Sequence, residues 1–353
     1  MLIDPERIKL IPETYRDQHS FCFWLHDMMV DVMRQAEAAR IANVTIQFKD
    51  EGEAAEFQRA SDPITFCLEN DRHDTAKRIV VNQTIIPLYA DILHFVHGAL
   101  VALERRKYAV AFALFRKPFK YSLIFAAWML ADEEDFFNHL RSGSADPFEN
   151  TTMSAERRLD VLKRAVAKFE GDHFMDGQVI YDIAFERKNP HGLAGYFDMA
   201  AHLVTTYASI KTEALNLNFI FKNPSETDLY DGLYYLVAYL LVFLLLAELA
   251  LIGQLAEIPS SYISWLSIAT LGIQQALFSE ESTALLDELN DSLADLMLCV
   301  LCNGRLFITR ENALRFFTAE HINCTTCNVE QQFPLFWLMS RRAEDSMTGK
   351  STS

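Results

Sequence analysis

The feature that most constrains this chain is an apolar run over residues 232–253, GLYYLVAYLLVFLLLAELALIG. Glu248 interrupts it, and the charge-free part before Glu248 is shorter than the ~20 residues that span a bilayer. A helix that is apolar on every side belongs in a membrane or at the centre of a bundle. Because no lysine or arginine flanks the run, we expect a buried core helix rather than a membrane-associated protein.

The rest of the chain predicts a mainly α-helical bundle. Half of the 353 residues are hydrophobic, whereas only 12 are glycine and 10 are proline, so breaks between elements are few. Apolar residues recur at helical spacing in residues 21–42 and again in long stretches after residue 85. We therefore predict a helical body over residues 1–297, a zinc-ribbon-like unit over 298–339 and a disordered tail over 340–353.

One part of the body has a different sequence pattern. Between residues 43 and 84 the sequence has short β-branched runs, VTIQF, ITFCL and RIVV, separated by polar breaks. This pattern predicts a small strand-containing insert within the helical body.

Charge and the N-terminal sequence limit where the protein acts. A net charge of −16 argues against general adhesion to nucleic acid or to anionic lipid, although a local basic groove remains compatible with it. The first residues, MLIDPERIKLIPET, lack both the apolar core and the small-residue cleavage site of a secretory signal. We expect a cytoplasmic protein.

The most specific signal is a pair of Cys-x-x-Cys turns near the C-terminus. Cys299 and Cys302 are followed, after 21 residues, by Cys324 and Cys327. Two thiolates from each turn complete a tetrahedron around one ion, and this arrangement resembles the two knuckles of a zinc ribbon. With no open coordination position, such a zinc ion would be structural. Between the pairs we expect a strand over residues 305–309 and a short helix over 311–318.

Other readings of these cysteines stay open at this point. His321 precedes the second pair at a chelating spacing, so three thiolates with His321 form an alternative ligand set. The pairs also suit redox-active dithiols or iron–sulfur ligation. Finally, the first pair could simply end an apolar helix, with the second pair incidental.

A candidate catalytic motif lies in a polar break between helices, ERKNPH, with Arg187 and His191 separated by three residues. It resembles the Arg-plus-His motif of the HEPN superfamily of helical-bundle proteins, many of them bacterial ribonucleases of defence and toxin systems. The texture of residues 99–132 is similar to that of bacterial HEPN-like bundles. The resemblance implies a metal-independent ribonuclease in which His191 acts on the ribose 2′-OH and Arg187 stabilises the phosphorane charge, with Glu186 or Asn189 orienting them.

Two further clusters are candidate sites. A basic stretch interleaved with aromatic residues is a candidate surface for phosphate or nucleic acid; its cations are Arg105, Arg106, Arg116, Lys117 and Lys120. The alternative is that these cations pair with acidic residues of the bundle. Asp91, His94 and His97 have the spacing of a metal patch on one helix face, but no second carboxylate pair matches them.

Together these features predict a zinc-containing helical module that binds a protein or nucleic-acid partner through the zinc ribbon or the basic stretch, and that is also a candidate for self-association. The competing hypothesis is the HEPN-like ribonuclease centred on Arg187 and His191. The common nucleotide-binding, zinc-protease and serine-hydrolase motifs are absent from the sequence.

Overall fold

A computed structural model describes residues 3–142, 153–169, 175–206, 211–215, 217–218, 228–279 and 283–340. Most of the chain is helical, as predicted. The predicted disordered tail lies outside the described residues apart from Ser340.

The elements follow one another as helices until a small C-terminal sheet. The helices of the body are α1 (Arg16–Ala38), α2 (Glu51–Arg59), α3 (Pro63–Glu69), α4 (His73–Glu104), α5 (Tyr108–Arg116), α6 (Leu123–Ala131), α7 (Glu133–Arg141), α8 (Ala155–Val166), α9 (Gly177–Ala184), α10 (Ala194–Ala201), α11 (Leu233–Gly253), α12 (Ser260–Phe278) and α13 (Ala284–Ser292). A π-helical turn, Lys117–Ser122, joins α5 to α6. The C-terminal unit consists of α14 (Arg310–Ala319), β1 (His321–Asn323) and β2 (Glu330–Gln332).

Helix α11 is the centre of the bundle. It packs against α1, α6, α9 and α12, and nearly all of its side chains are buried. By length and composition both α4 and α11 could cross a membrane, but 83% of the most apolar window of α11 is buried inside the protein. This burial fits the core helix predicted from the apolar run.

Helix α11 contains one buried acidic residue. Glu248 is fully buried, and its carboxylate oxygens have no hydrogen-bond partner within the described part of the chain. Burial raises the pKa of Glu248 well above its ordinary value. Burial therefore favours the neutral form of this side chain, which lowers the cost of placing it in the core.

The predicted strand-containing insert is wrong, because residues 43–84 contain helices and no strand. Asp50 caps α2 by accepting the amide of Glu53, and Asp62 caps α3 with Pro63 in its first turn. The RIVV run, residues 78–81, lies within α4. Its β-branched residues Ile79 and Val81 are buried against neighbouring elements, and this packing outweighs their preference for strands.

The C-terminal unit is packed on the body. Helix α14 contacts α12 and α1, and Phe316 and Phe317 on α14 are fully buried. Gly272 of α12 faces Phe317 so closely that a Cβ atom there would clash with the phenyl ring. Buried residues of the unit, Cys299 and Cys324 among them, belong to the same hydrophobic core as the bundle. The unit therefore has a rigid base.

Candidate metal centre

Two turns with the same hydrogen-bond pattern carry the four cysteines. We call residues 299–304 the first knuckle and residues 324–329 the second knuckle. In the first, the amide of Asn303 donates to the carbonyl of Cys299 at 2.9 Å, and in the second the amide of Asn328 donates to the carbonyl of Cys324 at 2.9 Å. The amides of Cys299 and Cys324 close each turn by donating to the carbonyls five residues later, at 2.8 and 2.9 Å.

An asparagine in the left-handed region ends each of these tight turns. The φ angles are 54° at Asn303 and 56° at Asn328. Asparagine tolerates this conformation better than most residues with a Cβ atom, because its short polar side chain can interact with the local backbone. The left-handed backbone angle thus explains why an asparagine follows the second cysteine in both knuckles.

Backbone amides point at the first sulfur of each pair. The amide of Leu301 donates to Cys299 Sγ and that of Thr326 donates to Cys324 Sγ, both at 3.4 Å. Hydrogen bonds to a thiolate favour the charged form. The pKa of Cys299 is accordingly lowered, chiefly by the amide of Cys302, and the amides of Cys327 and Thr326 lower the pKa of Cys324 to about 6.

The second sulfur of each pair has the opposite shift. The amides of Gly304 and Val329 lower the pKa values of Cys302 and Cys327, but burial and neighbouring sulfurs outweigh them and raise both values. Four thiols this close together therefore do not all ionise readily by themselves. A bound cation would relieve this, since it stabilises all four thiolates at once.

The four sulfur atoms form a compact cluster. Cys299 Sγ lies 3.5 Å from Cys327 Sγ, and Cys302 Sγ lies 3.6 Å from Cys324 Sγ. All four lie within 4.8 Å of one another, and none of the cysteines is in a disulfide. A tetrahedron with Zn–S bonds of 2.3 Å has sulfur atoms about 3.8 Å apart. The cluster therefore fits one tetrahedral ion with four thiolate ligands, for which zinc and iron are the candidate metals.

The small sheet and one glutamine hold the knuckles together. Strands β1 and β2 are antiparallel, with Ile322 opposite Gln331, so the second knuckle is the turn of this hairpin. Gln331 then contacts the first knuckle: its Oε1 accepts the amide of Val300 at 3.0 Å, and its Nε2 donates to the carbonyl of Leu298 at 3.2 Å. The sequence analysis missed Gln331, because its role depends on the position of a strand 30 residues away from the first pair.

The segment between the knuckles is only partly as expected. Helix α14 occupies the predicted helical position, and Thr309 begins it with a capping box completed by Asn312. The predicted strand over residues 305–309 is wrong: within this fully described segment, the one strand-like contact is the bridge of Arg305 with Leu298. The Arg305 side chain instead donates to the carbonyl of Asn290 at 2.8 Å and ties the first knuckle to α13.

His321 lies outside the sulfur cluster. Its Nδ1 is 2.6 Å from the carbonyl of Ala319, and its side chain lines a surface cleft with Asp17 and Glu311. The group of potential ligands that the described residues bring together consists of the four cysteines without His321. The four-thiolate set is thus the one that the fold supports.

The surface beside the cluster differs between the two knuckles. At the tip of the first, Val300 is 84% exposed and Leu301 is 70% exposed. At the equivalent positions of the second, Thr325 and Thr326 are exposed polar residues. Further exposed apolar side chains of the C-terminal segment are Leu296, Leu298, Phe307, Phe336 and Trp337.

The two residues of the predicted Arg187–His191 pair have different surroundings. Arg187 Nε lies 3.5 Å from Oδ2 of the buried Asp198, whereas His191 is exposed and its backbone amide donates to Asn189 Oδ1 at 3.0 Å. Glu186 accepts the amide of Lys188 at 2.8 Å. The ribonuclease hypothesis stays a prediction.

The cations of the basic stretch differ in their contacts. Lys117 pairs with Asp91 at 2.6 Å, whereas Arg116 and Lys120 face Asp198. Arg105 is exposed at the end of α4, and Arg106 Nε donates to the hydroxyl of Tyr108. Pairing with bundle acids therefore accounts for three of the five cations.

The predicted metal patch on α4 is not formed. Asp91 is engaged by Lys117, and the ring of His97 packs against Phe23 and His26 of α1. Among the described residues, the patch is not one of the groups whose ligand atoms come together.

No family model matches this chain, and neither a curated protein nor a solved structure is similar enough to match it. Function is therefore argued from the site itself.

Proposed function

We propose that this protein is a zinc-containing helical module that binds a protein partner through the tip of its first knuckle. The observation that carries the proposal is the exposure of Val300 and Leu301 on a turn whose backbone is held by internal hydrogen bonds and by Gln331. Side chains of this kind, held exposed on a rigid base, are typical of protein-docking sites.

Zinc is the ion that we assign to the cluster. Four thiolates in tetrahedral arrangement form a closed structural site for zinc, with no coordination position left for water or substrate. Such a metal stabilises the fold around it and performs no chemistry on a ligand. The role assigned to zinc is therefore to hold the two knuckles in one position relative to each other.

A cytoplasmic location agrees with this assignment. All six cysteines are free thiols in the structure. Zinc ligation requires reduced thiolates, and the cytosol keeps thiols reduced.

Charge around the tip favours a protein over a nucleic acid as the partner. The exposed acid Asp295 lies before the first knuckle, Asp291 pairs with Arg305 at 3.4 Å, and the tip itself has no cation. Nucleic-acid surfaces need lysine and arginine to compensate phosphate charge. We therefore expect a partner with an apolar contact surface bordered by basic residues.

The experiment uses the second knuckle as an internal control. A photo-crosslinking amino acid is placed at position 300 in one variant and at position 325 in the other, and both are irradiated in cells that express the full chain. The proposal predicts one reproducible protein adduct from position 300 that is absent from position 325. Adducts of equal yield from both positions, or crosslinks to nucleic acid alone, would contradict it.

Direct mutation of the tip tests whether the adduct reports a docking contact. In a competition format, untagged protein should suppress the adduct, whereas untagged protein with Val300→Thr and Leu301→Thr should not. If both competitors suppress it equally, the tip does not carry the contact.

A further inference from the structure

A buried cluster of opposite charges lies in the helical body, far along the chain from the cysteines. Asp198 of α10 is at its centre. Lys120 Nζ, in the π-helical turn, lies 2.5 Å from Asp198 Oδ1, and a guanidinium nitrogen of Arg116 lies 3.7 Å from the same oxygen. Arg187, in the loop between α9 and α10, approaches the other oxygen at 3.5 Å. Four separate elements thus converge on one carboxylate.

The cluster has a closed floor and an open mouth. The exposed fractions of the side chains rise from 3% at Asp198 and 10% at Lys120 to 23% at Arg116 and 44% at Arg187. A ligand entering from solvent would meet the two arginines first. Lys120 lies in the π-helical turn, two residues after Pro118, and such turns are frequent at functional sites.

A third arginine stands beside this mouth. Arg158 of α8 lies over the ring of Phe185, 5.7 Å from its centroid. Phe185 precedes Arg187 by two residues, so Arg158 lies next to the start of the loop that carries Arg187. Phe185 thus provides an apolar wall on which the Arg158 guanidinium is held.

Two of these arginines have donors without an acceptor. The Nε atoms of Arg116 and Arg158 are buried and have no hydrogen-bond partner in the described ranges of the chain. Asp198 Oδ1 is bonded to Lys120, and Asp198 Oδ2, which is also buried without a hydrogen-bond partner within the described residues, lies 3.5 Å from Arg187 Nε. A buried guanidinium donor without an acceptor is costly, so this arrangement is expected where an anion supplies the acceptor.

We propose that the cluster of Arg116, Lys120, Arg158, Arg187 and Asp198 binds the phosphate group of a small ligand. Guanidinium groups match phosphate oxygens with two parallel hydrogen bonds, and a tetrahedral dianion has enough acceptors for donors that arrive from several directions. Tyr121, which is 36% exposed and lies beneath the Arg116 guanidinium, flanks the mouth. This site is independent of the zinc unit and of its proposed partner.

The primary test is calorimetric titration of the full chain with inorganic phosphate at constant ionic strength, with chloride as the reference anion. One site is expected. Arg158→Gln and Arg116→Gln should each weaken phosphate binding about tenfold or more, because each removes a charged donor. Arg164→Gln is the matched control on α8: Arg164 pairs with Asp132 at 2.7 Å, and its loss should change phosphate affinity less than twofold.

A substitution that should strengthen phosphate binding distinguishes a ligand site from a purely structural ion pair. Asp198→Asn removes the carboxylate that competes with phosphate for the same donors, so phosphate should bind more tightly to this variant. If the cluster is only structural, Asp198→Asn lowers the melting temperature and phosphate has no effect on either protein. Should Asp198→Asn fail to fold, the Arg116 and Arg158 variants, which remove more exposed groups, still decide the question.

The source of the phosphate is tested in parallel with adenosine monophosphate. Binding at least tenfold tighter than that of inorganic phosphate identifies a nucleotide, whereas equal binding identifies the free ion; both support the site. Absence of binding by both anions, or phosphate affinity retained in Arg158→Gln and Arg116→Gln, would overturn the proposal. Binding of single-stranded RNA without phosphate binding would also overturn it. Zinc content should be the same in all variants.

Discussion

The two knuckles have nearly the same backbone and different tips. Both place an asparagine in the left-handed region, and both direct an amide at the first sulfur of the pair at 3.4 Å. The first carries Val300 and Leu301 between its cysteines, whereas the second carries Thr325 and Thr326. The shared turn fixes the positions of the cysteines and the asparagine but leaves the tip free, so the tip is where the two turns can differ in function.

The comparison also explains why the apolar tip is tolerated. An exposed valine and leucine add nothing to the core, and a chain without a use for them would be more soluble with threonine there. Because the second knuckle has threonines on the same backbone, the turn itself does not require apolar residues. This is the physical basis for assigning docking to the first knuckle alone.

The largest expected effect is the loss of a thiolate. Cys299→Ser and Cys324→Ser should each abolish metal retention and expose residues 298–339 to rapid hydrogen exchange, since structural zinc contributes about 10 kcal/mol or more in isolated zinc fingers. One ion shared by both knuckles predicts that the two variants behave alike. Cys67→Ala, which removes a buried thiol elsewhere, should keep the metal. A clearly milder effect at one knuckle would mean that the sulfurs do not share an ion.

The next effect concerns the backbone that both knuckles share. Asn303→Ala and Asn328→Ala should each destabilise the unit by about 1 kcal/mol, because a positive φ costs alanine more conformational free energy than it costs asparagine. Glycine at either position should be neutral within about 0.5 kcal/mol. Chelator-dependent unfolding monitored by circular dichroism measures this. Equal losses for alanine and glycine would point to the asparagine side chain rather than to the backbone angle.

A smaller effect is expected at a position where the knuckles differ. The first knuckle has Gly304 there and the second has Val329. A Cβ atom at Gly304 would lie 3.1 Å from Thr326 Oγ1 and 3.3 Å from Cys302 Sγ. Gly304→Ala should therefore lower stability by about 0.5–1 kcal/mol through crowding. Adding Thr326→Ala removes the hydroxyl and should restore part of the loss in a double-mutant cycle. Additive losses would show that the threonine is not the obstacle.

The smallest effect on stability is expected at the tip. Val300→Thr with Leu301→Thr gives the first knuckle the tip of the second, and exposed substitutions of this kind change stability by no more than about 0.5 kcal/mol. Zinc content should be unchanged, while retention on a hydrophobic-interaction column should fall. Loss of zinc in this variant would mean that the tip supports the metal site, and the separation of roles between tip and backbone would then be wrong.

The sequence predicted most of this architecture and the four cysteines that the fold brings together, for identifiable reasons. The apolar run around Glu248 had few alternatives to a core helix, and the two Cys-x-x-Cys pairs dictate their own local turns. The insert over residues 43–84 was misjudged because β-branched residues pack equally well on a buried helix face. The Asp198 cluster and the Gln331 contacts could not be predicted, because both join residues far apart in the chain through the packing of several elements.

Metal content of the purified full chain, measured by elemental analysis beside the Cys299→Ser and Cys324→Ser variants, tests the central claim most directly. The account predicts about one zinc per chain in the natural sequence and none in either variant. Iron in place of zinc, no metal at all, or zinc that survives both substitutions would contradict the shared tetrathiolate centre on which the comparison of the knuckles depends.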